Sequence, residues 1–293
     1  MSFQTIEDAC LNVIAQMEAV SLTGLTSADL LADGQLHRFR PGWEPKPSKK
    51  RAWYVLFQFR TDAGAELISG SFGWFKGAES YAYTVELGHG HSLLPAEKQR
   101  IEQSQAESRR TARLLRQEEA QAAADKALSI WNACGVNGHS AYLQRKKIAG
   151  LGCRYSRGSV VIPVRSFDGK LHGLQFIDAE GNKRFLTGTV KKGHFCPLAS
   201  VNDPDGYMGI TEGYATGCTA HMATGWPVFV AFDAGNLEHV AEAVRLRYPH
   251  SKIVLFADDD FDHPDNPGRV KAEAAARAVG GVAVLPPHQG EVA

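Results

Sequence analysis

From Tyr207 onward the chain alternates short apolar runs with amphipathic stretches: YMGITE, PVFVAFD, KIVLFADDD and GVAVLPP are separated by segments of helical character. Apolar strands joined by amphipathic helices predict a parallel sheet covered by helices on both faces, because a parallel crossover carries the chain back over the sheet. This alternation constrains the fold more than any other feature. Open parallel sheets bind ligands beyond the carboxyl ends of their strands. Here three of the four runs close on acids: Glu212, Asp233 and the run Asp258, Asp259, Asp260. In an extended segment Asp258 and Asp260 share one side and Asp259 points away.

Neighbouring carboxylates resist joint ionisation unless a cation compensates them. A Glu on one strand facing an Asp-x-Asp on its neighbour can hold one or two Mg2+ ions through hard oxygen ligands, so Glu212, Asp258 and Asp260 are the candidate metal ligands. An EF-hand starting at Asp258 needs Gly at its sixth position and Glu at its twelfth, where His263 and Arg269 stand. Helix capping accounts for one or two acids after the strand, but not for Glu212 as well. Asp233 is the weaker candidate, since an acid at a strand end is often only a helix cap. No GxxxxGK[ST] phosphate loop occurs, and the five cysteines include no CxxC pair, which argues against a zinc ribbon and a disulfide framework. No apolar run is long enough to cross a bilayer, and the N-terminus lacks the pattern of a signal peptide, so a cytoplasmic protein with no membrane partner is expected.

The net charge of zero conceals a division along the chain. Residues 139–200 hold 11 Lys/Arg against 3 Asp/Glu, a surplus of eight, whereas residues 201–293 hold 6 against 13, a deficit of seven. A basic segment joined to an acidic one suits contact with polyanions in one part and capture of cations in the other. The expected organisation is an N-terminal α+β module over 1–94, a long helical linker over 95–135, a basic α+β subdomain over 136–205 and the parallel-sheet domain over 206–293. In the first module aromatics and basic residues interleave. Trp53 and Arg51 are candidates for stacking on single-stranded nucleic acid, although strand aromatics equally fill small cores. The Ala-, Glu-, Gln- and Arg-rich stretch from Pro95 to about Trp131 has sparse apolar positions and reads as a solvated spacer helix. In the basic subdomain Arg154, Arg157, Lys183, Arg184, Lys191 and Lys192 fall at turns and strand ends, where side chains reach ligands.

The phrase ITEGYATG, followed some forty residues later by LFADDD, resembles the Toprim domain, an acidic metal-binding fold of bacterial-type primases, type IA and II topoisomerases and some nucleases. VAFDAGNL between these motifs, the following NPG, the upstream YLQRKKI start, the IPV strand and Lys192-Gly193 make the sequence most similar to Toprim primases of conjugative plasmids and phages. The resemblance covers about Ser140 to Pro287, with a fainter likeness at GQLHRFRPG and SFGWFKG. It implies an α/β chain with a C-terminal Toprim domain, and a DNA primase that makes short oligonucleotides by metal-dependent nucleotidyl transfer. Glu212, Asp258 and Asp260 are then catalytic, with Mg2+ or Mn2+ as cofactor, and Glu212 serves equally as metal ligand or general base. Arg157, Arg184 and Lys192 bind nucleotide or template phosphates, with Asp233, Lys183, Lys191 and Arg154 as further candidates. The implied partners are a single-stranded DNA template, nucleoside triphosphates and a replicative helicase. The alternatives are a Toprim nuclease and a non-catalytic DNA-binding scaffold in recombination or DNA transfer. The resemblance departs in two respects. No template-reading zinc ribbon is present, and the chain ends at PPHQGEVA where relatives continue, which implies a piece of a longer protein.

Overall fold

A computed structural model describes residues 5–76, 79–87, 93–257 and 267–285. The chain divides into two compact units, Met1–Glu119 and Ala120–Ala293. In the first unit α1 (Ile6–Ala19) is started by a capping box at Thr5 and Asp8. It is followed by the antiparallel sheet β1 (Asp33–Phe39), β2 (Ala52–Arg60), β3 (Glu66–Lys76) and β4 (Glu79–Thr84), in that spatial order. The pleat sends alternate residues to opposite faces. Ala52, Tyr54, Leu56 and Phe72 meet Val13 and Met17 of α1. Trp53 and Phe75, on the other face, pack against Ala112 and Leu115.

Those last two residues belong to α2 (Pro95–Ala133), and they correct the expectation of a solvated spacer. Ile101, Ser104, Ser108, Ala112 and Leu115 recur at helical spacing and are all buried. Ser108 Oγ lies 2.9 Å from Ser71 Oγ, and Ser104 Oγ donates to Ser69 Oγ at 3.2 Å. Serine and alanine let helix and sheet approach closely, yet they carry little hydropathy, so the packed stripe does not register as apolar.

In the second unit the last turns of α2 pack Ala127 and Cys134 on Val161, Leu171 and Leu174. These belong to an antiparallel sheet built, after the short α3 (Ala141–Lys146), from β5 (Arg154–Ser156), β6 (Ser159–Arg165), β7 (Leu171–Ile177) and β8 (Lys183–Phe185). The chain continues through β9 (Cys196–Pro197), β10 (Tyr207–Thr211), α4 (Tyr214–Thr224), β11 (Val228–Val230), α5 (Leu237–Arg247), β12 (Lys252–Phe256), α6 (Pro267–Val279) and β13 (Val282–Val284). Together these strands form one sheet in the order β13-β12-β10-β11-β9, parallel except for β9. Residues of α5 and α6, among them Val240, Val244, Ala272 and Ala275, bury one face. Cys218 and Ala220 of α4 bury the other, in a core shared with Val160, Ile162 and Val164 of β6. The expected helices on both faces are present. The antiparallel edge strand β9 was not foreseen, because a two-residue strand leaves no periodicity to read.

Among the described residues, no helix is long and apolar enough to cross a membrane.

Candidate active site

Glu212 follows β10 directly at the carboxyl edge of the parallel sheet. The register of β10 sets Thr211 opposite Val230 of β11 on one side and Phe256 of β12 on the other. The strand that leads into the Asp-x-Asp run is therefore the immediate neighbour of the one that carries Glu212. The chain is described as far as Ala257, whose N–H donates to Val284 O at 2.9 Å. Asp258 and Asp260 lie outside the described residues, as does Asp259. The tight entry into α4 keeps Glu212 close to the helix start. Gly217 faces the sheet, and a Cβ there would stand 2.8 Å from Thr211 Oγ1 and 2.9 Å from Val230 Cγ2, so no larger residue allows this approach.

A cleft of about 430 Å3 opens at the start of α4, and Gly213, the residue that follows Glu212, forms part of its wall. Arg145 and Lys146 from the end of α3, Lys183 from β8, and Gly213, Ala215 and Thr216 at the start of α4 line it, with Glu180 as its one acid. Three cations converge here on the positive end of an 11-residue helix, an arrangement that favours phosphate. Lys183 was among the sequence candidates, but Arg145 and Lys146 were not. The signal available for them was the Arg-Lys-Lys run at 145–147, which reads equally as basic residues suited to a helix C-terminus.

A second group forms around Asp233. Its Oδ2 lies 2.5 Å from Lys191 Nζ, with both side chains partly exposed. The side chain makes no capping hydrogen bond to the short turn that follows, so the helix-cap reading does not describe it. Phe232, just before it, has a φ of 76°. For a bulky residue this is a strained conformation, of a kind that clusters at functional sites. Lys192 occupies the exposed tip of a turn closed by His194 N–H donating to Lys191 O at 2.8 Å, in which Gly193 supplies the required positive φ of 72°.

Asn236, which sequence reasoning missed, holds that turn. Its Oδ1 accepts from Gly193 N–H at 2.8 Å, and its Nδ2 faces the carbonyls of Lys191, His194 and Ala231 at 2.9, 3.0 and 2.8 Å. From the other side the His194 ring stacks on His172 with centroids 3.8 Å apart, and His172 Nε2 lies 2.8 Å from Ser166 Oγ. Burial, and then the neighbouring His194, push the His172 pKa down to about 4, so the ring is neutral near pH 7.

The remaining candidates are dispersed. Arg184 sits opposite Phe176 with its guanidinium 5.2 Å from that ring, whereas Lys183 sits opposite Ile177, so the pleat places the two on opposite faces of β8. Arg157 is exposed at the β5–β6 turn with a φ of 48° and does not line the cleft. Arg154 is held at the end of α2, with Nη1 donating to Trp131 O at 2.5 Å and its guanidinium 4.7 Å from the Trp131 ring. The stacking role expected of Trp53 and Arg51 is corrected. Trp53 is only 1% exposed beneath α2 and offers no face to a base, and Arg51 is engaged in an ion pair with the buried Glu44.

Comparison with known proteins bears on the family of the C-terminal segment. The family model described as "Toprim domain" matches residues 208–286, and this segment is a Toprim domain, as the sequence resemblance implied. Toprim domains generally depend on a divalent metal. Two curated Escherichia coli proteins, both called DNA primase TraC, are similar to the chain. One is 34% identical over 208 residues, covering 67% of this chain and 14% of the relative. The other is 30% identical over 267 residues, covering 87% and 24%. The chain thus spans about a quarter or less of the length of these relatives. A chain from a solved structure of bacteriophage T7 lagging-strand DNA polymerase with primase domains of two gp4 subunits aligns at a TM-score of 0.34 and 21% identity, over 50% of this chain and 74% of that one.

Proposed function

We propose that this chain is the catalytic part of a DNA primase, which joins nucleoside triphosphates into short oligonucleotides on a single-stranded DNA template. The observation that carries the reading is the cleft lined by Arg145, Lys146 and Lys183 at the start of α4 in the Toprim domain, where Gly213, the residue that follows Glu212, is part of the wall. The similarity to proteins called DNA primase supports the same reading.

In nucleotidyl transfer the 3′-hydroxyl of one nucleotide attacks the α-phosphate of the next. A new P–O bond forms, the bond to the β-phosphate breaks, and pyrophosphate leaves as the hydroxyl proton is lost. The barrier is dominated by charge on phosphate oxygens, so positioned cations do most of the work. Arg145, Lys146 and Lys183, with the N–H groups opening α4, bind the triphosphate and fix the leaving pyrophosphate. Lys192, presented on its pinned turn and steadied by the Lys191–Asp233 pair, neutralises a further phosphate. Glu212 and, in our reading, Asp258 and Asp260 provide the hard oxygen ligands that Mg2+ or Mn2+ requires. Such a metal, when bound, acidifies the attacking hydroxyl and offsets charge on the reacting phosphate. His172, neutral near pH 7, stacks on His194, whose pKa burial also lowers, and the pair supports that turn.

Incubating the chain with single-stranded DNA, labelled nucleotides and Mg2+ or Mn2+ tests the proposal, short labelled products being expected only with metal. Replacing Asp258 and Asp260 together by Ala should reduce synthesis by at least about 100-fold with an unchanged circular dichroism spectrum. Undiminished synthesis by that folded variant would remove the assignment.

A further inference from the structure

The first unit carries a surface that the nucleotidyl-transfer chemistry does not use. The register of β3 and β4 sets Trp74 opposite Tyr81 and Phe72 opposite Tyr83, all on the face that α1 partly covers. The rings form a ladder: Trp74 lies 4.9 Å from Tyr81 at 27° and 5.4 Å from Tyr83 at 16°, centroid to centroid. Trp74 and Tyr83 are half-buried, while Tyr81 remains 40% exposed on the edge strand.

The connection between β1 and β2 enters the sheet at this same end. Ala52 pairs with Trp74, and Trp74 with Tyr81, which puts the root of the connection two strand spacings, about 10 Å, from Tyr81. Arg40, Lys46, Lys49 and Lys50 are exposed along it, and its one acid, Glu44, is buried against Arg51. A flat aromatic step thus lies beside a strongly cationic loop.

We propose that this face binds single-stranded DNA, with a base continuing the Trp74–Tyr81 stack and backbone phosphates meeting Arg40, Lys46, Lys49 and Lys50. Rings that only filled a core would be covered, and here the outermost one is not. A duplex keeps its base faces stacked inside, so a single strand is the form of nucleic acid that can extend the ladder. The cationic loop selects a polyanion over an ordinary apolar partner surface. The choice of DNA rests on the primase reading, in which this face is an additional contact for the template.

The test uses the full chain and fluorescein-labelled (dT)20 in EDTA without nucleotides, with affinity read by fluorescence anisotropy. Tyr81→Ala should weaken binding about 5- to 150-fold, in line with the loss of one stacked base. Tyr81→Phe should bind like the parent. Lys49→Glu with Lys50→Glu should weaken binding and lower the slope of log affinity against log salt by about 1.4, since two fewer phosphates are neutralised on a single strand. Parental affinity in both the Tyr81→Ala chain and the double-charge variant, each folded by circular dichroism, overturns the proposal. So does a Tyr81→Ala chain that loses self-association in sedimentation while its (dT)20 affinity is unchanged, for the face then joins copies of the protein. Because neither metal nor nucleotide is present, a chain that binds through Tyr81 but never synthesises leaves this surface standing and removes only the primase reading.

Discussion

Asn236 shows how much of the candidate site depends on a side chain that never reaches a ligand. Its amide is 3% exposed and faces four backbone groups, three of them in the turn around Lys192. Removing one partner from such a buried set leaves the others unsatisfied, at a cost of about 1–3 kcal/mol. Asn236→Ala should therefore lower stability and release the turn. In the synthesis assay we expect KM for nucleotide to rise about tenfold and kcat to change less. An unchanged KM in a folded variant would show that Lys192 needs no such support. Lys192 and Asp233 were legible in the sequence because charge at a turn or strand end is visible there. Asn236 was not, since Asn at a helix start reads as a cap. Whether its amide turns inward is decided by the tertiary fold. The same limit applies at Trp53 and Trp74: alternation separates the two faces of a strand, but it does not say how completely a helix will cover each.

Among the elements, α2 was legible as a helix and illegible as a packing surface. Its length and composition are plain, and at 1.5 Å per residue its 39 residues reach about 58 Å. What hid the packing is that Ser104, Ser108 and Ala112 do by close approach what leucines do by bulk. Leu115, like Ile101, acts by bulk, and it is 4% exposed against Trp53 and Phe75. Leu115→Ala should destabilise the first unit by about 2–5 kcal/mol, the usual range for a buried leucine, as read from denaturant titration followed by tryptophan fluorescence. If the helix were the solvated spacer its hydropathy suggests, the loss would stay below about 0.5 kcal/mol. The parallel sheet, by contrast, was legible almost throughout, because continuous apolar runs between amphipathic helices have few other solutions.

For the molecule as a whole, the division of charge at about residue 200 is real in the sequence, but it is not a boundary in the fold. β9 comes from the basic segment and pairs with β11 of the acidic one, and Arg165 bridges to Phe195 beside it. Val160, Ile162 and Val164 share one core with Cys218, Val228 and Val230. A chain cut after Ser200 should accordingly lose the slow amide exchange of β6 and β7 seen in the full chain, as measured by hydrogen–deuterium exchange. Retained protection there would mean that the basic segment folds by itself. The shared core also bears on inheritance. A crossover between two related genes near codon 200 would set β9 of one parent against β11 of the other and fill a single interior with residues selected in different company. The two segments are thus expected to descend together, as one hereditary block, however different their surfaces.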